Sequence, residues 1–233
     1  MKDFKVTVEK IDVESFDTKT FHFRLSNNEE IDFKAGQYIF IKHLKEGKPM
    51  VKPYSIASSP SDKNKIEIVL NKIPNGYFST YLCDRVNVGD VLEIKGPLGL
   101  FNLKEPINND VIFVGTGTGI GPLRSMIRRV FELRTSKKIW LFFGEKTEEE
   151  ILYKEEFEEL EKEHENFRYI PILSRQEWEG EKGHVQDAIK KYIKDSNNME
   201  AYICGLINMV DETKSLLKDL GFDPKKIYVE KYN

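Results

Sequence analysis

Val111-Ile112-Phe113-Val114-Gly115-Thr116-Gly117-Thr118-Gly119-Ile120-Gly121-Pro122 is the stretch on which the fold turns. An unbroken run of β-branched and aromatic residues reads as a strand buried on both faces, as in a parallel sheet. Four glycines in seven positions follow it, and Pro122 suits the first turn of a helix. Glycine lets the backbone approach a ligand closely, and a helix N-terminus offers free N–H groups and a positive dipole end to a phosphate. The spacing is not the GxGxxG fingerprint, because counting from Gly115 the third required glycine falls at Ile120. Nor is it a P-loop, since no Gly-Lys-Ser/Thr follows. A tight strand–helix turn also needs glycine, but four exceed that need, so the stretch reads as a pyrophosphate loop of another kind.

Around this loop the chain alternates strand and helix. Val111–Val114, Ile139–Phe143, Phe167–Ile172, Ala201–Cys204 and Ile227–Val229 read as buried parallel strands. Leu123–Arg134, Lys154–Glu165, Val185–Lys194 and Val210–Leu220 read as the helices between them. Upstream the rhythm differs. Phe4–Val13, Thr20–Leu25, Gln37–His43, Tyr54–Ala57, Ile66–Asn71 and Val91–Lys95 are short β-like runs, with one helix near Phe78–Arg85. Close spacing without long helices predicts an antiparallel β-barrel or sandwich over residues 1–105. A doubly wound parallel α/β sheet is predicted over 106–233, with the boundary near 103–110.

Composition narrows the function. The 233 residues include 36 Lys plus Arg and 39 Asp plus Glu, a net charge of −3 that provides no basic surface for nucleic acid. No apolar run reaches the roughly 18 residues of a membrane helix. Charges in Met1-Lys2-Asp3-Phe4-Lys5 argue against a secretion signal, leaving a cytoplasmic location as the expectation. Cys83 and Cys204 are the two cysteines, too few for the four ligands of a typical iron–sulfur cluster. His22, His43, His164 and His184 show no metal-ligand spacing. Redox chemistry would then come from an organic cofactor, or from a metal held by another chain.

Two stretches in the first half are candidates for anion binding. In Lys52-Pro53-Tyr54-Ser55-Ile56-Ala57-Ser58-Ser59-Pro60, extended backbone puts Lys52 and Tyr54 on one face and Ser55 on the other. In Asn75-Gly76-Tyr77-Phe78-Ser79-Thr80-Tyr81-Leu82, a glycine and two hydroxyls open a short helix. Each alone is equally an edge strand and a helix cap. Taken with the glycine loop, they suggest two nucleotides meeting across a cleft.

The chain resembles the ferredoxin–NADP(+) reductase superfamily. The resemblance rests on Lys52-Pro53-Tyr54-Ser55, Gly76-Tyr77-Phe78-Ser79, Gly96-Pro97-Leu98-Gly99-Leu100-Phe101, the Gly115–Pro122 loop and Cys204-Gly205, in that order, and on Phe33–Tyr38 before the third strand. It implies a flavin-binding barrel followed by a pyridine-nucleotide domain, with FAD rather than FMN. By this resemblance Tyr54 packs on the isoalloxazine and Ser55 hydrogen-bonds near flavin N5. Lys52, Pro53, Val69, Asn71, Gly76, Phe78, Ser79 and Thr80 surround the flavin, Lys52, Ser79 and Thr80 at its phosphates. Gly115, Thr116, Gly117, Thr118, Gly119 and Gly121 hold the nicotinamide dinucleotide, with Ser174, Arg175, Cys204 and Gly205 also at the nucleotide. Ser55, Cys204 and Glu230 are the implied catalytic residues, Cys204 near nicotinamide C4 and Glu230 beside it, with Tyr232 over the other flavin face. From position alone Cys204 reads as a buried small hydrophobe, a preference that the resemblance reverses, and the last residues are equally a frayed strand.

Two departures stand out. Lys52 replaces the family's Arg, a point charge instead of a bidentate fork, which predicts looser flavin binding. Leu206-Ile207-Asn208-Met209 follows Gly205 where relatives often carry prolines. For the donor, Ser174, Arg175 and Lys182 favour a 2′-phosphate and NADPH, whereas Glu145 and the Trp178–Val185 pattern favour NADH. The reading is a flavoprotein reductase that passes electrons to an acceptor protein such as ferredoxin. Its alternatives are a flavin reductase using free flavin, an electron-transfer subunit active only in a larger complex, and a non-catalytic nucleotide sensor. Lys42, Lys45, Lys48 and Lys52, around a predicted loop, are either a docking patch for an acidic protein or a solvated surface.

Overall fold

In the computed structural model, which describes residues 2–232, the chain divides into two compact units. One comprises the chain up to Leu103 with Arg124–Glu132; the other comprises Lys104–Leu123 and the chain from Leu133 onward. Met1 and Asn233, which open and close the terminal stretches read above, lie outside the described residues.

The first unit holds β1 (Lys2–Val13), β2 (Thr18–Leu25), β3 (Tyr38–Lys45), β4 (Lys48–Ser55), β5 (Lys65–Asn71), α1 (Tyr77–Arg85) and β6 (Val91–Leu98). The sheet order is β4-β3-β6-β1-β2-β5, antiparallel throughout. Ile56, just beyond β4, bridges Ile68 of β5 and so links the two edge strands, as the expected barrel requires. Alternation drives this closure: Val6, Val8, Phe21, Phe23, Ile39, Ile41 and Ile94 point inward and are fully buried. α1 covers the same core with Phe78, Leu82 and Cys83. Each large apolar side chain buried this way contributes about 1.5–3 kcal/mol.

One strand differs from expectation. Tyr54–Ala57 reads as a strand in sequence, but β4 starts at Lys48 and stops at Ser55. Only the turn at Glu46-Gly47 separates it from β3. The Lys- and Pro-rich run had concealed a strand because proline cannot donate to a ladder. Pro49 and Pro53 are accommodated because β4 lies at the edge of the sheet.

The second unit follows the predicted alternation: β7 (Asp110–Thr116), α2 (Ile120–Glu132), β8 (Ile139–Glu145), α3 (Lys154–Glu163), β9 (Phe167–Leu173), β10 (Glu181–Lys182), α4 (Val185–Tyr192), β11 (Met199–Leu206), α5 (Ile207–Asp219) and β12 (Ile227–Tyr232). From Arg124 onward, α2 belongs to the first unit. The sheet is parallel, in the order β10-β9-β8-β7-β11-β12. α2 ends at Glu132 and not at Arg134, whose φ of 51° cannot continue a right-handed helix. The two-residue β10 is too short to register as a pattern. The chain runs outward from β7 through β8 and β9, then returns to place β11 on the other side of β7. That reversal is a topological switch point, where doubly wound sheets bind ligands.

Candidate functional site

β7 delivers the glycine loop to the switch point. Gly117–Gly119 form a single tight turn and α2 starts at Ile120. β11 runs beside β7 with Cys204 level with Gly115, so the turn after β7 crowds the end of β11. A Cβ on Gly119 would collide with the Cys204 carbonyl, and one on Gly205 with Thr116 Oγ1. Gly205 also has φ +148°. Glycine is therefore required at both positions for the turn and the strand end to touch. Beneath them Thr116 Oγ1 is buried with no hydrogen-bond partner among the described residues. Orphaned buried hydroxyls are uncommon and point to a missing partner. The Gly117 N–H donates to Glu145 Oε1 at 2.9 Å, so the acidic side chain that ends β8 sits on the loop itself.

The last strands complete this corner. Gly115, Cys204 and Glu230 form one row across β7, β11 and β12, and Tyr232 lies level with Leu206. Burial and the neighbouring Glu230 carboxylate push the Cys204 thiol well up, against a hydrogen bond with Tyr232. Cys204 is thus held as a neutral thiol. Ser174 and Arg175 follow β9; Ser174 binds the Glu145 carbonyl through its N–H at 2.9 Å and its hydroxyl at 3.2 Å. Lys182 is ion-paired with Glu177.

In the first unit, Lys52 and Tyr54 lie opposite Ile41 and Ile39, and Ser55 opposite Tyr38, which is the expected division of faces. Tyr54 is half-buried, with its ring centroid 6.1 Å from that of Phe78. Burial raises its hydroxyl pKa, so it stays a neutral phenol. Lys52 and Pro53 are exposed. Val69 is buried on β5, and Asn71 is exposed at its end. Gly76 caps α1 without a side-chain hydrogen bond, which leaves first-turn N–H groups for an anion. Ser79 is tied into this turn: its hydroxyl donates to the Gly76 carbonyl at 3.3 Å and accepts from the Ile73 N–H at 3.1 Å. Thr80 is half-buried.

Two side-chain groups escaped the sequence reading. His43 stacks on Tyr81 at 3.7 Å, lies 3.0 Å from the Tyr77 hydroxyl, and neighbours Lys45, whose Nζ sits 4.2 Å over the Tyr77 ring. The available signal was His43 two residues beyond inward-facing Ile41. The second group is the buried Arg124 with Glu67 and His22. Its signal was an arginine, beside Ser125, within the mostly apolar Ile120–Ile127 segment.

The geometry can be compared with known proteins. The family model of oxidoreductase FAD-binding domains matches residues 5–103, and that of oxidoreductase NAD-binding domains matches residues 113–215. Ferredoxin–NADP reductase B of Sorangium cellulosum is 31% identical over 220 residues, covering 91% of this chain and 90% of that protein.

The chain belongs to the ferredoxin–NADP reductase family.

The resemblance read from the motifs is therefore met. The phenol hydroxylase P5 protein of Acinetobacter pittii is 32% identical, covering 100% of this chain and 66% of that protein. The chain thus spans slightly under two thirds of the length of this relative. In fold, a ferredoxin NADP+ reductase from Neisseria gonorrhoeae, solved with bound FAD and NADP, superposes with a TM-score of 0.86 at 22% identity, covering 99% of each chain. Among the described residues no helix is long and apolar enough to cross a membrane, and no group of three or more His, Cys, Asp or Glu is placed to hold a metal.

Proposed function

We propose that this chain is an NAD(P)H-oxidising FAD flavoprotein that hands electrons to an acceptor protein, with ferredoxin the acceptor class that the name of the relative from Sorangium cellulosum supports. The observation that carries the reading is the glycine loop at the switch point with the unpartnered Thr116 hydroxyl beneath it. The residues fit the cofactors. A dinucleotide suits the Gly117–Gly119 turn, which Gly119 and Gly205 let pack against the end of β11 and which is open around Gly117, and the Thr116 hydroxyl. A flavin suits half-buried Tyr54 beside exposed Lys52 and an α1 N-terminus that no side chain caps. When bound, FAD supplies the two-electron acceptance and one-electron release that no side chain here supplies.

The chain's own groups bind and orient. Lys52, Ser79, Thr80 and the α1 N–H groups hold the flavin phosphates, with Gly76 allowing close approach. Tyr54 and Ser55 fix the ring, with Pro53, Val69, Asn71 and Phe78 around it. Gly115, Thr116, Gly117, Thr118, Gly119, Gly121 and Gly205 hold the nicotinamide dinucleotide. Cys204, protonated, acts by packing and hydrogen bonding and not as a nucleophile, with Glu230 alongside. Glu145 on the loop and the pairing of Lys182 by Glu177 oppose an additional phosphate, so NADH is the preferred donor; Ser174 and Arg175 contact its adenosine half.

The test is a visible spectrum of the purified protein before and after anaerobic NADH or NADPH. Flavin bands that bleach faster with NADH are the expected result; bands that neither nucleotide bleaches would refute the reading. Cys204→Ala is expected to slow flavin reduction in stopped flow about tenfold or more with flavin content intact, and an unchanged rate removes Cys204 from the site. A second reading, flavin as a diffusing substrate, is favoured by the exposed single charge of Lys52 where the family has a fork. Colour lost on dialysis would select it.

A further inference from the structure

We propose that Arg124 is a positioning residue that sets the Ser55 end of β4 through the Ala57 carbonyl, an inference that rests on reading Ser55 as a flavin contact. The segment after Ser55 is held by backbone on one side. The Ile56 N–H donates to the Gln37 carbonyl at 2.9 Å, and the Ala57 N–H to the Glu67 carbonyl at 2.7 Å. The Glu67 N–H donates to Ser58 Oγ at 3.1 Å. On the other side Arg124 Nη1 donates to the Ala57 carbonyl at 3.1 Å and also to Glu67 Oε2. One guanidinium thus joins the carbonyl two residues beyond Ser55 to the side chain whose own backbone grips Ala57. Two turns further along α2, Glu132 accepts from Ser61 Oγ at 2.6 Å and from Ser59 Oγ. Arg124 and Glu132 therefore fix residues 57–61 as a unit.

Arg124 is only 4% exposed. Burying a guanidinium is expensive, and an apolar residue of similar volume is often as stable or more so. Packing alone does not require arginine here; fixing a backbone carbonyl in one place does. Glu67 keeps the guanidinium compensated. It also takes His22 Nδ1 at 3.2 Å and Arg128 at 3.6 Å, and His22 Nε2 reaches Asp12 at 2.8 Å. A displacement of an ångström at a reacting group costs up to about a hundredfold in rate, so a remote anchor on the Ser55 segment matters to function.

A double-mutant cycle on the full chain loaded with FAD separates positioning from general support. Ser55→Ala, Arg124→Gln and the double variant are compared by the absorption spectrum of bound flavin, the FAD dissociation constant and the rate of flavin reduction by NADH. Expected are similar spectral changes in both single variants, a rate loss of roughly tenfold or more in each, and a double variant no slower than Ser55→Ala. Losses that multiply, or a wild-type spectrum and rate in Arg124→Gln, overturn the inference. A wild-type spectrum and rate in Ser55→Ala overturns the Ser55 reading and the inference with it. Should Arg124→Gln fail to fold, Arg124→Lys keeps the charge beside Glu67 but not the planar fork. The same spectral change is then expected, and a wild-type spectrum and rate count against the inference.

Discussion

Glu67→Ala is expected to destabilise the chain by about 3–5 kcal/mol, the cost of leaving a buried charge without its partner. The carboxylate is the hub of Arg124, Arg128 and His22. Without it Arg124 keeps the Ala57 carbonyl among its contacts but loses the Glu67 carboxylate, and His22 keeps Asp12. Urea unfolding followed by far-UV circular dichroism measures the loss; a change under about 1 kcal/mol would show that the network contributes no more than a surface pair. Burial alone would raise the Glu67 carboxyl, but His22, Arg124 and Arg128 outweigh it and hold the group far below the usual carboxylate range. A depressed carboxyl stabilises fully above its unfolded value, near 4.5, and loses that contribution as pH falls toward its folded value. His22 runs the other way. The hydrogen bond to Glu67 raises it, against desolvation, with Asp12 adding to the rise. Its contribution is complete below its unfolded value, near 6.5, and is lost as pH rises through the folded one. The network is therefore worth most between about 4.5 and 6.5. In Glu67→Ala the acid-side loss should shrink to what Asp12 contributes, a carboxyl that burial would raise but that Lys10 and His22 also hold low, and the alkaline-side loss should shrink.

The second large effect is at Gly119. Gly119→Ala drives a methyl into the Cys204 carbonyl and against Gly205, backbone on both counts, so no flexible side chain can yield. Overpacking of this kind costs about 1–3 kcal/mol. It also forces the turn after β7 away from the end of β11 at the spot proposed for the nicotinamide dinucleotide. The expected outcome is flavin content near wild type with NADH reduction lost or saturating only at far higher NADH. Gly47→Ala is the control: φ is +76° but no atom lies within 4 Å of the new methyl, so only backbone strain of about 1–2 kcal/mol is expected. Equal NADH affinity in the Gly119 variant and the wild type would show that the turn and the strand end tolerate separation.

These two residues differ in how they are read. Gly119 is visible in sequence because a glycine-rich turn between an apolar run and a helix is a local pattern, complete within twelve residues. The same holds for most strands and helices of both units, for the switch from antiparallel to alternating order, and for the division of Lys52, Tyr54 and Ser55 between two faces. What closes over short distances along the chain is written in periodicity and turn chemistry, and that was enough to assign the fold; the family came from the resemblance of its motifs.

Glu67 is not visible that way. As one acidic residue in a β-run it reads as an outward strand position, and Arg124 as a helix charge; 57 residues separate them. The chain pairs them only once β5 and α2 have folded against the Ser55 segment. The start of β4 was hidden for a related reason, since whether proline is tolerated in a strand depends on that strand lying at a sheet edge. The unpaired Thr116 hydroxyl, the Glu145 carboxylate on the Gly117 N–H and the row of Gly115, Cys204 and Glu230 likewise exist only through strand register. By itself the amino-acid order determined the two architectures and the place of the glycine turn between β7 and α2. Tertiary structure decided which distant charges meet and which carbonyl they hold, because burial and Coulomb energy depend on distance in space, not along the chain.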